Sequence, residues 1–171
     1  AAADVYKRLH LNKWVFIFFD MGSEEFTKRV RLHRQFKAMG AAIHSQSVYC
    51  APYTPETYEK LRTLGEDLLV VKAEVPEDRI NDLESAYDTF IRKLFEETET
   101  KIEELEDAKI LAIETVHNKR GYSKRLSSLY DRISHLEYVA NLRQSDSVQE
   151  AVDAFRIQIG KIENREPGTG V

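Results

Sequence analysis

The sequence predicts an α+β fold: a β-α-β-β-α-β sheet domain over residues 1–76, then a helical extension over residues 77–171 packed on it. Three features carry that prediction. Apolar runs of strand length alternate with helix-period segments in the first part. Glycines and prolines at positions 22, 40, 52, 55, 65 and 76 separate those segments. Beyond Pro76 the apolar residues recur at three- and four-residue spacings, the period of a helix face.

Lys13 to Met21 reads as the first strand, because Trp14, Val15, Phe16, Ile17, Phe18 and Phe19 form the unbroken apolar run expected where both faces are covered. Gly22 ends it. Ser23 is placed as the N-cap of a helix whose first turn holds Glu24 and Glu25, where the helix dipole favours acids. That helix runs to Met39 and stops at Gly40, with Phe26, Val30, Leu32, Phe36 and Met39 predicted on its apolar side. Ala41 to Tyr53 reads as two short strands joined by a turn or bulge at Ser45-Gln46-Ser47. Thr54 caps a helix from Pro55, a residue suited to the first helical position, to about Leu64. Leu68 to Val75 is the fourth strand. This order is the ferredoxin-like arrangement, an antiparallel sheet with two helices on one face.

A long acidic helix follows from Asp78 to about Lys109, with Leu83, Tyr87, Phe90, Leu94, Thr98, Ile102 and Leu105 as its stripe. Ile110 to Val116 fits either more helix or a short strand, and His117 to Gly121 reads as a loop. A helix from about Ser123 to Leu142 carries Leu126, Leu129, Ile133, Leu136 and Val139. Ser147-Val148-Gln149-Glu150 has the form of a capping box, and Val148, Val152, Phe155, Ile159 and Ile162 follow at helical spacing.

Composition excludes several classes. With 42% hydrophobic and 32% charged residues, the 171-residue chain is neither collagen-like nor wholly disordered. No apolar run approaches the roughly 18 residues of a membrane span. The single Cys50 leaves no internal disulfide or Cys-rich metal centre, which suits a reducing cytoplasm, the expected location. Ala1-Ala2-Ala3-Asp4 has no signal-peptide layout and is read as a scar or trimmed end. The net charge of -4 hides a split: residues 1–73 hold 11 basic and 8 acidic side chains, residues 74–107 hold 4 and 13, and residues 108–171 hold 10 and 8. Polyanion binding depends on local patches rather than the total, so overall acidity does not exclude nucleic acid.

The most distinctive polar feature is the basic helix. Lys28, Arg29, Arg31, Arg34 and Lys37 lie between Phe26 and Gly40 with no acid among them, and Arg31 and Arg34 share a side away from the apolar face. Such a group can neutralise several phosphates and release their counterions. The alternative is a solvated face whose arginines pair with the acidic helix, each pair contributing little. A second cluster, Lys119, Arg120, Lys124 and Arg125 around Gly121, is either a solvated loop or a binding finger. Asp20, at the end of an apolar strand, is the candidate ligand for a divalent metal, with Glu24 or Glu25 assisting, or else a turn aspartate accepting backbone N–H bonds. His44 and Cys50 flank the turn without a third group to orient them, so Cys50 reads as a core residue. No Walker-type or GxGxxG loop is present, which argues against nucleotide hydrolysis.

The run from Val30 to Ala41, followed by Gln46-Ser47-Val48-Tyr49-Cys50-Ala51-Pro52, resembles the N-terminal domain of chromate-resistance regulators of the ChrB type. There a basic helix, a Gly-Ala step, a Gln-Ser-Val-like strand and a Pro recur in this order. Ala86-Tyr87, Leu129-Tyr130-Asp131-Arg132-Ile133 and the helix near Phe155 extend the similarity over most of the chain. His33 stands where that family tends to have Trp. The family's second, sensing domain has no room here, so the resemblance implies a DNA-associated role rather than chromate sensing. The first 75 residues are also similar to the small ferredoxin-like CRISPR adaptation protein and to a domain of phenylacetate-pathway repressors, sharing Phe18-Phe19-Asp20, the basic helix, and Gly40 followed by Gln46-Ser47-Val48. Members of the former family dimerise through their sheets, and some cleave nucleic acid with metal at the strand-end aspartate; only Asp20 matches that position.

The reading that follows is a non-enzymatic regulatory or nucleic-acid-associated protein, a homodimer, that contacts the phosphates of double-stranded DNA through its basic helix. The competing readings are a metal-dependent nuclease using Asp20 and a protein-interaction module built on the helical extension.

Overall fold

A computed structural model describes residues 12–114 and 119–165. The chain groups into two compact units, one reaching Ile91 and the other beginning at Arg92. The first holds β1 (Lys13–Phe19), a 3-10 turn (Ser23–Glu25), α1 (Phe26–Ala38), β2 (Ala42–Ser45), β3 (Val48–Pro52), α2 (Pro55–Arg62), β4 (Leu68–Glu74) and the opening turns of α3 (Ile80–Glu114). The four strands form one antiparallel sheet in the order β2-β3-β1-β4, so the α+β class and the β-α-β-β-α-β order hold.

β1 is the central strand, with Ile17 opposite Tyr49 on one side and Val70 on the other. One sheet face sets Val15, Ile17, Phe19, Tyr49 and Ala51 against Leu32 and Phe36 of α1 and Leu61 of α2. Among the described residues, the other face is covered at only one end. There Tyr87 of α3 meets Trp14 edge-on at 5.7 Å and its hydroxyl donates to the Gly40 carbonyl at 2.7 Å. Farther along, Phe18, Leu69 and Val71 stay exposed. The unbroken run Trp14 to Phe19 therefore does not mark a strand buried on both faces throughout; it marks a central strand with one covered face and one half-covered face.

The two ends of α1 are set differently. Ser23 is not its N-cap: Ser23 opens the 3-10 turn, Gly22 precedes it with no side-chain cap, and the α-helix starts only at Phe26. At the far end Gly40 takes φ 76°, a left-handed conformation that favours glycine. The Gly40 N–H reaches the Lys37 carbonyl at 3.1 Å and the Ala41 N–H the Phe36 carbonyl at 2.9 Å, a Schellman closure. The later start also corrects the apolar side. Leu32 and Phe36 are its buried residues, Val30 and Met39 are half-buried, and Phe26 is 70% exposed. At 100° per residue, Phe26 and Val30 lie about 100° and 140° from the middle of the arc that Leu32 and Phe36 define, which is why they do not join it. α2 behaves as its sequence suggests: Pro55 opens it and the Thr54 hydroxyl accepts the Thr57 N–H at 3.0 Å.

The second unit consists of the rest of α3, α4 (Lys119–Arg143) and α5 (Asp146–Glu163). Of the stretch from Ile110 to Val116, residues 110–114 continue α3 as helix rather than strand, and Thr115 and Val116 lie outside the described residues. Lys119, Arg120 and Gly121 are helical rather than a loop; His117 and Asn118 lie outside the described residues. The N-cap of α5 is Ser145, whose hydroxyl accepts the Val148 N–H at 3.4 Å, so Ser147 is not the capping residue. Gln144, at φ 52°, turns the chain just before it. Ile102, Leu105, Leu129, Ile133, Leu136, Val139, Val148, Val152, Phe155, Ile159 and Ile162 are buried. Thr98 is buried among them at no polar cost, because its hydroxyl donates to the Leu94 carbonyl at 2.6 Å. Among the described residues, no helix is long and apolar enough to cross a membrane.

Candidate functional site

The five cations of α1 have separate fates. Lys28 is spent locally: its ammonium lies 2.5 Å from Asp67 and 3.5 Å from Glu25, and the Asp67 hydrogen bond raises its pKa. Lys37, in the last turn, is half-buried. Arg29, Arg31 and Arg34 are exposed, and no carboxylate among the described residues is within ion-pairing range of them. The acidic α3 finds its partners elsewhere. Glu97 takes Arg132 at 2.7 Å, Glu104 takes Lys101 at 2.7 Å and Glu106 takes Arg165 at 2.9 Å.

Helical spacing explains the exposure. Arg31 and Arg34 lie on the side of α1 opposite Leu32 and Phe36, so burial of those two against the sheet turns the arginines outward. They share this outer face with apolar groups. A shallow groove there is lined by Phe26, Thr27, Val30, Arg31, Arg34, Gln35 and Ala38. The apolar part of that surface was missed by the sequence reading, which buried Phe26 and Val30. Centring the helical wheel on Leu32 and Phe36 would have found it.

Arg29 serves a different edge. His33 and Tyr49 share a short Nδ1–hydroxyl contact, and the Tyr49 ring also packs on Phe36 at 4.7 Å. Burial pushes the Tyr49 hydroxyl pKa up, and the nearby Arg29 guanidinium partly opposes that shift. The pair anchors α1 to β3.

Lys119, Arg120, Lys124 and Arg125 are all exposed on the first two turns of α4. Arg125 lies close enough to Glu104 to help hold that carboxyl below its ordinary pKa, after the larger effect of the Lys101 hydrogen bond. This cluster belongs to the second unit, where the exposed large apolar residues include Ile110, Leu111 and Ile113 at the end of α3 and Tyr130 of α4, the last hydrogen-bonded to Glu163.

Asp20 is exposed just past β1. Its proposed helpers are engaged otherwise: Glu25 faces Lys28, and the Glu24 carboxylate folds over Gly22, where a Cβ would come within 2.2 Å of it. Among the described residues, no group of three or more His, Cys, Asp or Glu side chains converges to hold a metal. Cys50 is fully buried in β3 and burial pushes its thiol pKa up to about 12, so at neutral pH it is a protonated core residue. His44 is exposed on edge strand β2 and shares no open site with it.

No family model matches the chain and no curated protein matches its sequence, so the reading of this surface rests on its own geometry.

Proposed function

We propose that this chain is a non-enzymatic, DNA-associated regulatory protein that holds the phosphate backbone through the outer face of α1. The observation that carries this reading is the exposure of Arg31 and Arg34 on that face without a carboxylate partner among the described residues. Arg31 and Arg34, left unpaired on that outer face, keep their full capacity to replace phosphate counterions, while Arg29 is exposed on another edge of the helix. The contacts position the protein on the backbone without reading bases, because base readout needs a helix presented end-on or lengthwise to a groove with donors matched to base edges. The resemblance to the N-terminal domain of ChrB-type regulators is in keeping with this role.

The proposal includes a homodimer joined through the sheet. Phe18 and Leu69 are paired across β1 and β4 and both are exposed, with Val71 beside them on the same face. Burying such a patch against a second copy would remove apolar surface from water at about 25 cal/mol per Å². Light scattering of the purified chain should give a dimer mass that falls to a monomer in Leu69→Lys; an unchanged mass would place the contact elsewhere.

The test of the main reading is duplex binding followed by fluorescence anisotropy over a salt series. Two backbone contacts predict a slope of log K against log salt of about -1.8. Reversing Arg31 and Arg34 to Glu should abolish binding while the circular dichroism spectrum is unchanged. Retained affinity in that double variant would exclude α1 as the surface.

A further inference from the structure

A phosphate grip explains Arg31 and Arg34 but not their neighbour. Phe26 leaves 70% of its surface in water at the first position of α1, one turn before Val30 and on the same groove as both arginines. A contact made only to phosphates has no use for an apolar ring, and exposing one in isolation costs solvation. A single-stranded nucleic acid uses both kinds of group: its bases are free to stack on an aromatic ring, and its backbone runs past cations set beside that ring.

Resting on the reading above, we propose that this groove takes single-stranded nucleic acid, with Phe26 stacking a base and Arg31 and Arg34 holding the adjoining phosphates. The spacing fits. At 1.5 Å rise per residue Arg31 lies about 7.5 Å along the axis from Phe26, and Arg34 about 4.5 Å beyond it. Thr27 and Gln35 on the same groove add hydrogen-bonding groups, while Val30 and Ala38 keep its floor apolar. Charge selects for a polyanion, because Arg31 and Arg34 meet no carboxylate among the described residues. The aromatic ring then selects for unpaired bases over a duplex, whose stacked bases offer no free face to Phe26.

The experiment compares a labelled oligothymidylate with the duplex of the same length, using the full chain. Binding to the single strand should be tighter than to the duplex. Phe26→Ala should weaken single-strand binding about 5- to 150-fold, the range of one lost base–aromatic stack, and leave duplex binding unchanged. Phe26→Tyr should retain it. Phe26→Trp supplies a second measurement: its exposed indole should be quenched by the single strand, while Trp14, the natural tryptophan, is only 1% exposed and stays silent. Equal affinity of Phe26→Ala and the natural chain for the single strand, or an unquenched Phe26→Trp, overturns the stacking role. If duplex binding is then still lost in the Arg31/Arg34 reversal, the phosphate grip stands without it. Binding of an acidic amphipathic peptide in place of either nucleic acid would overturn both.

Discussion

α1 and α5 are both amphipathic helices, yet they use their residues differently. In α5 the stripe Val148, Val152, Phe155, Ile159 and Ile162 is entirely buried, and Arg156 donates two hydrogen bonds, at 3.2 and 2.6 Å, to the two carboxylate oxygens of Glu137. In α1 only Leu32 and Phe36 are buried, Phe26 is in water, and Arg31 and Arg34 have no carboxylate in range among the described residues. Ile157 shows that a lone exposed apolar residue is ordinary: it is 61% exposed on α5 without unpaired arginines around it. The difference teaches where binding capacity remains. A helix whose polar and apolar groups already satisfy each other within the fold is structural; one that leaves both kinds over, side by side, has something to offer a ligand.

The largest expected effect tests the inward faces. Phe36 is fully buried, and Phe155 is nearly so, its ring tilted against Phe95 at 5.8 Å. Truncating either to Ala should cost about 3–5 kcal/mol in denaturant unfolding, the usual loss for a buried Phe with its cavity. Phe26→Ala should change stability by no more than about 0.5 kcal/mol, as a surface substitution does. A large loss in Phe26→Ala would mean the ring is packed in solution, and the contrast between the helices would fail.

Much of this architecture was legible in the sequence because the signals were local. The Trp14 to Phe19 run, the Gly40 stop, Thr54 before Pro55 and the Leu129-to-Val139 stripe each dictate their own short-range outcome. What was not legible depended on partners distant in the chain. Whether Phe26 faces inward is decided by which arc of α1 the sheet takes, and Leu32 and Phe36 won that arc through Phe19 and Tyr49. The same holds for the candidate site. The basic residues were visible as a run, but that Lys28 pairs with Asp67, 39 residues away, while Arg31 and Arg34 pair with no described carboxylate, follows only from tertiary placement. The loop assignment around Gly121 failed for a smaller reason: one glycine costs a helix only about 1 kcal/mol, which the flanking turns of α4 outweigh.

The smallest expected effect probes the outward faces directly. The Arg156 hydrogen bond, ahead of its charge, holds the Glu137 carboxyl below its ordinary pKa. A carboxyl depressed in the folded chain stabilises it fully above the unfolded value of about 4.3 and loses that contribution as pH falls through the lower folded value. Because the pair is largely solvated, a double-mutant cycle of Arg156→Ala and Glu137→Gln should return only about 0.2–1 kcal/mol at neutral pH, shrinking in high salt. The coupling should fade only as pH falls below the ordinary glutamate range and through the depressed Glu137 value, where its carboxyl takes up a proton. Arg31→Ala should show no such acid-linked loss, since it has no carboxylate to release. If Arg31→Ala instead lost stability with the same pH dependence as Arg156→Ala, α1 would have a carboxylate partner in solution, and its arginines would be no freer than those of α5.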